Sequence, residues 1–206
     1  MKTRYQFAGF LLFVLSLSAC TTPATTPEDV APIPSSTEAV VGTEEAKPYP
    51  LSTRTGIEDI DEVLAAVENE DPQKLRDLIH FTTIACTKAD GLGGPPKCRE
   101  NEPEGTLVDV LPFLGPEGHF LRRGDVSSFS GVNVTGLYAI YKVSDSAYSE
   151  AAYPAGEYAI VFKGKENQPD VIIHVQDGVI RIDYLYPPTA AGGINKSDVS
   201  EMIIAP

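Results

Sequence analysis

Asp177-Gly178 constrains this chain more than any other pair of residues. Both residue types tolerate positive φ, which the tight two-residue β-turn requires at both central positions. Val171–Gln176 and Val179–Tyr186 flank the pair and are rich in β-branched and aromatic residues. The pattern therefore predicts a hairpin. Two further strands are predicted upstream, Leu137–Val143 and Glu157–Lys163, with Gly164–Pro169 linking the second to the hairpin. Strict alternation puts Tyr138, Ile140 and Lys142 on one face and Leu137, Ala139, Tyr141 and Val143 on the other. Tyr148–Tyr153 reads as a short edge segment, and Pro187-Pro188 ends the sheet. Thr189–Pro206 reads as a tail with a short helix near Ser197–Ile203.

Upstream of Gly131 the hydrophobic period changes. Ile57, Ile60, Val63, Leu64 and Val67 recur at helical spacing, and Glu58, Asp59, Asp61, Glu62 and Glu68 fall on the outer side. Thr55-Gly56-Ile57-Glu58 has the form of a capping box with Thr55 as N-cap. Asp71-Pro72 then starts a second helix, a capping carboxylate followed by a first-turn proline. Leu75, Leu78, Ile79 and Phe81 are its expected apolar face. Leu107–Leu111, ended by Pro112, and His119–Arg122 read as short strands. Two helices followed by an antiparallel β-meander define an α+β domain over residues 51–206.

The N-terminus obeys different rules. Lys2 and Arg4 precede Phe7–Leu17, eleven uncharged and strongly apolar residues. As a helix that run is about 16 Å long, roughly half a bilayer core, too short to span. A basic start, a short apolar core and small residues before a break describe a secretory signal. The closing Leu17-Ser18-Ala19-Cys20 resembles the lipobox of bacterial lipoproteins. The resemblance implies that residues 1–19 are removed and that the Cys20 thiol carries a diacylglyceryl thioether. The membrane is then a partner held through the N-terminal lipid, at about 0.8 kcal/mol per buried CH₂. The expected location is the cell membrane or outer membrane, with the domain facing the periplasm or cell exterior. Thr21, where lipoproteins retained at the inner membrane often carry Asp, leans toward the outer membrane.

Residues 20–50 are the lipidated cysteine and a tether. Thr21–Pro50 holds six Pro, six Thr, five acids and one Lys. Such a stretch buries too little apolar surface to offset its chain entropy, so disorder is expected. Its extended reach is about 90 Å at ~3.1 Å per residue. The formal charge of −13 becomes −15 once Lys2 and Arg4 leave with the signal. That acidity argues against nucleic acid as a partner, because phosphates repel it.

With Cys20 lipidated, Cys86 and Cys98 remain as an even pair in an exported chain, and a structural disulfide is expected. Gly91-Leu92-Gly93-Gly94-Pro95-Pro96 between them forbids regular structure. Eleven intervening residues do not match the Cys-x-x-Cys of redox pairs. His80, His119 and His174 are scattered and form no metal-ligand spacing, and no cofactor or metal is expected.

The order of elements from Ile57 to Tyr186 is similar to that of NTF2-like (SnoaL, ketosteroid-isomerase) domains. There a curved sheet wraps a helix and leaves a cone-shaped pocket. The likeness rests on the helix–Glu-Asp-Pro–helix of Ile57–Leu78 and on Val175-Gln176-Asp177-Gly178-Val179-Ile180-Arg181. It implies a pocket lined from one face of the strands, with Tyr138, Tyr141, Tyr158, His174 and Tyr184 as polar-tipped candidates. No residue matches the family's catalytic positions. The expected function is a non-catalytic ligand- or protein-binding envelope domain; a hydrolase or isomerase using an NTF2-like pocket is the alternative.

Overall fold

The computed structural model describes residues 47–115, 118–186 and 194–206. All of them belong to the compact unit Thr43–Pro206. The signal, Cys20 and most of the tether lie outside the described residues. The domain is α+β and rich in strands. Its elements are α1 (Glu58–Glu68), α2 (Pro72–Asp77), β1 (Thr82–Ala85), β2 (Leu107–Leu114), β3 (His119–Arg122), β4 (Val134–Val143), β5 (Tyr158–Gly164), β6 (Asp170–Val175), β7 (Val179–Leu185) and β8 (Val199–Ile204). They form one open eight-stranded sheet in the order β1-β2-β7-β6-β5-β4-β8, with β3 also on β2.

The expected meander is present as β4-β5-β6-β7, each strand antiparallel to the next. The whole sheet is mixed, however, because β2 runs parallel to β7 through Phe113↔Ile182 and Leu114↔Asp183. β2 continues through Pro112 rather than ending there. Pro112 falls after the β1 register has ended at Val110 and before the β7 register begins at Phe113. It lies opposite Phe120 within the unbroken β3 register, so the gap its missing N–H can occupy is the one between the β1 and β7 partners.

The hairpin is present and both turn residues take positive φ, 52° at Asp177 and 119° at Gly178. The loop is wider than two residues, however: Val175 stands opposite Val179 and the register shifts before His174↔Arg181. Gly178 has a second task. A Cβ there would stand 2.4 Å from the Leu78 carbonyl oxygen. The Val179 N–H donates to that same oxygen at 2.8 Å, and the His80 N–H donates to the Val179 oxygen at 2.9 Å. Leu78–His80 is thereby drawn out of the helix and laid beside β7, with Ile79 bridged to Val179. This shortens the predicted second helix, which stops at Asp77. Its start is as read: the Asp71 carboxylate accepts from the Lys74 N–H at 2.9 Å, with Pro72 in the first turn.

The capping box at α1 does not form. Helix α1 begins at Glu58 with Ile57 as an uncapped N-cap. Asp61 satisfies the entry instead. Its carboxylate accepts from the Thr55 N–H at 2.7 Å, the Thr55 hydroxyl at 2.9 Å and the Gly56 N–H at 2.9 Å. These bonds hold the Asp61 carboxyl below its ordinary range, against the opposing pull of partial burial.

The apolar side of α1 is as predicted: Ile60, Val63 and Leu64 are fully buried. They pack with Leu75 of α2 onto Leu137, Ile140, Ile160, Phe162, Ile173 and Ile182 of the sheet. A second cluster, Tyr138, Ala139, Tyr141, Ala159, Val161 and Ile172, forms separately from this one. Expected alternation along β4 fails because Leu137 pairs with Phe162 and Ala139 with Val161, which makes Tyr138 an extra residue. That bulge resets the phase, so Leu137 and Ile140 share one cluster while Tyr138, Ala139 and Tyr141 share the other.

The C-terminal segment is also extended rather than helical beyond a short 3₁₀ turn at Lys196–Asp198. β8 pairs antiparallel with β4 from Ile140↔Ile204 to Val143↔Val199. The edge of β4 offers backbone partners to a segment whose Val199, Ile203 and Ile204 favour strands. Tyr148–Tyr153 is a loop carrying one isolated bridge, Glu150↔Tyr153.

Gly178→Ala is expected to destabilise the domain by about 2–3 kcal/mol, because it combines a positive φ with a backbone collision. Gly124→Ala, with nothing within 4 Å of the added Cβ, is the neutral control. Urea denaturation of the two variants checks the difference.

Candidate functional site

Residues opposite one another across the sheet bring Tyr141, Ala159, His174 and Arg181 into one row. Asp183 stands two residues beyond Arg181 on the same face. His174, Arg181 and Asp183 are 4 %, 5 % and 8 % exposed, which makes them three of the four buried polar residues described. Buried charge is costly unless it is paired and hydrogen-bonded. Here the pairing is extensive. Arg181 Nη2 lies 2.9 Å from Asp183 Oδ2 and 2.7 Å from His174 Nε2. Arg181 Nε is 2.9 Å from Asp183 Oδ1 in the ion pair, although those two atoms are not aligned as a hydrogen bond.

The remaining donors reach the connection between β4 and β5. Arg181 Nη1 donates to the carbonyls of Tyr148, Tyr153 and Pro154 at 3.2–3.3 Å. His174 Nδ1 lies 2.7 Å from the Ala155 carbonyl. A carbonyl can only accept, so this nitrogen carries the proton. In the neutral ring Nε2 is then the acceptor for Arg181. Both ring nitrogens are occupied by protein atoms. Chemically the cluster is a clamp that holds Tyr148–Ala155 against the sheet. Tyr141 lies beside it and is kept in its protonated phenol form, its pKa pushed up to about 12 by burial, with Asp198 and Asp183 adding to the effect.

The five residues expected to line one pocket are divided by the sheet. Tyr138 and Tyr141 belong to the second cluster, and His174 sits in the row with Tyr141. Tyr158 and Tyr184 pack instead against the core beneath α1. Tyr184 stacks on Phe113 at 5.9 Å, and Phe113 stacks on His119 at 4.7 Å. Sequence reasoning missed Arg181 and Asp183. The signal was there in part: a hairpin centred on Asp177-Gly178 brings His174 near Arg181, and a register shift after Val175↔Val179 sets the two opposite each other.

Cys86 and Cys98 form the expected disulfide. Around it the loop is built by backbone bonds, Thr87 N–H to Pro96 O at 2.9 Å and Cys98 N–H to Thr87 O at 2.9 Å. Glu102 ties it to β3. The Arg122 guanidinium grips both Glu102 oxygens, at 2.5 and 2.7 Å, and also the Lys97 carbonyl at 2.8 Å. The Arg99 N–H adds a bond to Glu102 at 2.8 Å. The bond from Arg122, with that from Arg99, lowers the Glu102 pKa from 4.5 to about 2. Among the described residues no group of three or more His, Cys, Asp or Glu could hold a metal ion, and no helix is long and apolar enough to cross a membrane.

No family model matches the chain, and neither a curated protein nor a solved structure matches it.

Arg181→Met is expected to cost about 3–5 kcal/mol, because it removes the guanidinium from buried Asp183, leaving only His174 beside it at 3.0 Å, and frees three carbonyls. Chemical denaturation measures the loss, and hydrogen exchange at residues 148–155 should show that loop detached. Glu102 has a depressed folded pKa, so the tie it makes to Arg122 is fully present above about 4.5 and lost as pH falls through about 2. A carbon-13 titration of the Glu102 carboxyl should show its midpoint near 2; a midpoint near 4.5 would contradict the bidentate pair.

Proposed function

We propose that this chain is an exported protein, anchored to a membrane through a lipid on Cys20, whose single domain binds a partner without performing chemistry on it. The observation that carries the reading is the Cys86–Cys98 disulfide. It leaves Cys20 as the one cysteine outside the pair, at the end of a lipobox-like sequence, and a stable disulfide suits an oxidising compartment. The Pro/Thr-rich segment after Cys20 then serves as a spacer that holds the domain away from the bilayer.

The non-catalytic part rests on what fills the domain. Under the NTF2-like reading, α1 and α2 lie on a sheet containing a four-stranded antiparallel run, and the pocket is the space between helix and sheet. That space holds Ile60, Val63, Leu64, Ile140, Ile160, Phe162, Ile173 and Ile182, each 0 % exposed. The buried ionisable cluster stands apart from this core and is spent on backbone carbonyls. A hydrolase or isomerase would need such groups directed into the pocket. The redox alternative is disfavoured because Cys86 is only 2 % exposed and both sulfurs are in the bridge.

Mass spectrometry of the mature N-terminus tests the anchor. The expected product begins at Cys20 and carries the diacylglyceryl mass, and Cys20→Ser should release or mislocalise the protein. An unmodified Cys20 would overturn the reading.

A further inference from the structure

The disulfide loop and β3 border a half-open slot of about 300 Å³. The loop approaches β3 at both ends. At one end a Cβ on Gly118 would lie 3.7 Å from the Gly93 Cα. At the other, Arg122 bonds the Lys97 carbonyl. Between them Leu92, Pro95 and Pro96 face Phe120, whose ring packs on Tyr153 at 5.2 Å. Leu92 is 77 % exposed. Among the described residues β3 has β2 as its single strand partner, so it is an edge strand.

Charge distinguishes this slot from the rest of the molecule. The chain as a whole has a formal charge of −13. The charged residues that line the slot, among those described, are Lys97 and Arg122. Glu102 neutralises Arg122 from behind, and burial pulls the neighbouring His119 toward its uncharged form. The Lys97 ammonium, which donates to the Ala89 carbonyl at 3.0 Å, places a positive charge at the rim.

We propose that this slot captures an acidic segment of a partner protein that crosses its mouth. An apolar side chain of the segment would sit among Leu92, Pro95, Pro96 and Phe120, and a carboxylate would meet Lys97. Preformed apolar niches are a recurrent means of holding the side chains of bound peptides. A loop already ordered by a disulfide loses little entropy on binding. The inference rests on the binding-domain reading above and names where binding happens and what is bound.

The test uses the full-length chain in detergent micelles and two fluorescein-labelled octapeptides. One alternates Glu with Val and Leu, and the other carries Lys in place of Glu. Fluorescence anisotropy should show the acidic peptide binding at least about tenfold more tightly than the basic one. Lys97→Glu and Leu92→Asp should each weaken the acidic peptide at least about tenfold, with unchanged thermal unfolding. In the unaltered protein, the same peptide should shift the amide resonances of Gly91, Gly93 and Gly118. Failure of the acidic peptide to bind, or equal affinity for both peptides, overturns the proposal. Binding that neither variant weakens and that leaves those amides unmoved also overturns the slot, while the binding-domain reading survives.

Discussion

The close approach of Gly178 to the Leu78 carbonyl is the contact on which the domain's assembly turns. The hairpin turn alone would only join β6 to β7. Because Gly178 has no side chain, the chain leaving α2 can reach the turn and exchange backbone bonds with Val179. Those bonds end the helix, set the path into β1 and bring the helical pair onto the sheet. Ile60, Val63 and Leu64 pack on the strands beside that join. Local turn geometry and long-range packing therefore act through the same residue.

Two other constraints hold irregular chain against this frame, by different physics. On the second face, Arg181 and His174 satisfy four carbonyls of the β4–β5 connection, so a loop that could not pair as a strand is still hydrogen-bonded in a buried setting. Asp183 balances the guanidinium charge that this arrangement requires. At the β3 side, the disulfide and the Arg122–Glu102 pair shape a Gly/Pro loop near solvent. The first clamp is buried and its side chains face only protein. The second leaves a slot and an exposed Leu92, which is why recognition is assigned there and not to the buried charges.

Much of the architecture was legible in the chain. The Asp-Gly turn, the meander, the apolar stripe of α1 and the Asp71-Pro72 helix start all follow from local rules about φ, period and capping. The failures share a cause. Leu78 and Ile79 fit a helical period but have backbone partners on β7; Val199–Ile204 fits a short helix but pairs with the edge of β4. β4 breaks alternation at Tyr138, the extra residue of a bulge that changes the phase. In each case a partner distant in sequence outbids the local preference. The candidate site was half legible for the same reason: His174 stood out by type, whereas Arg181 and Asp183 were not singled out, because charged residues in a strand carry no local mark of burial.

By itself the sequence determined the α+β class, the turn at Asp177-Gly178, the cysteine pair and the expectation of an N-terminal lipid, because each depends on residue types within short stretches. Tertiary structure alone decided that β2 runs parallel to β7, that the five proposed pocket residues part between two sides of the sheet, and that the buried polar cluster is a clamp. Those outcomes depend on which strand edges meet and on a bulge in β4, and no local preference encodes them.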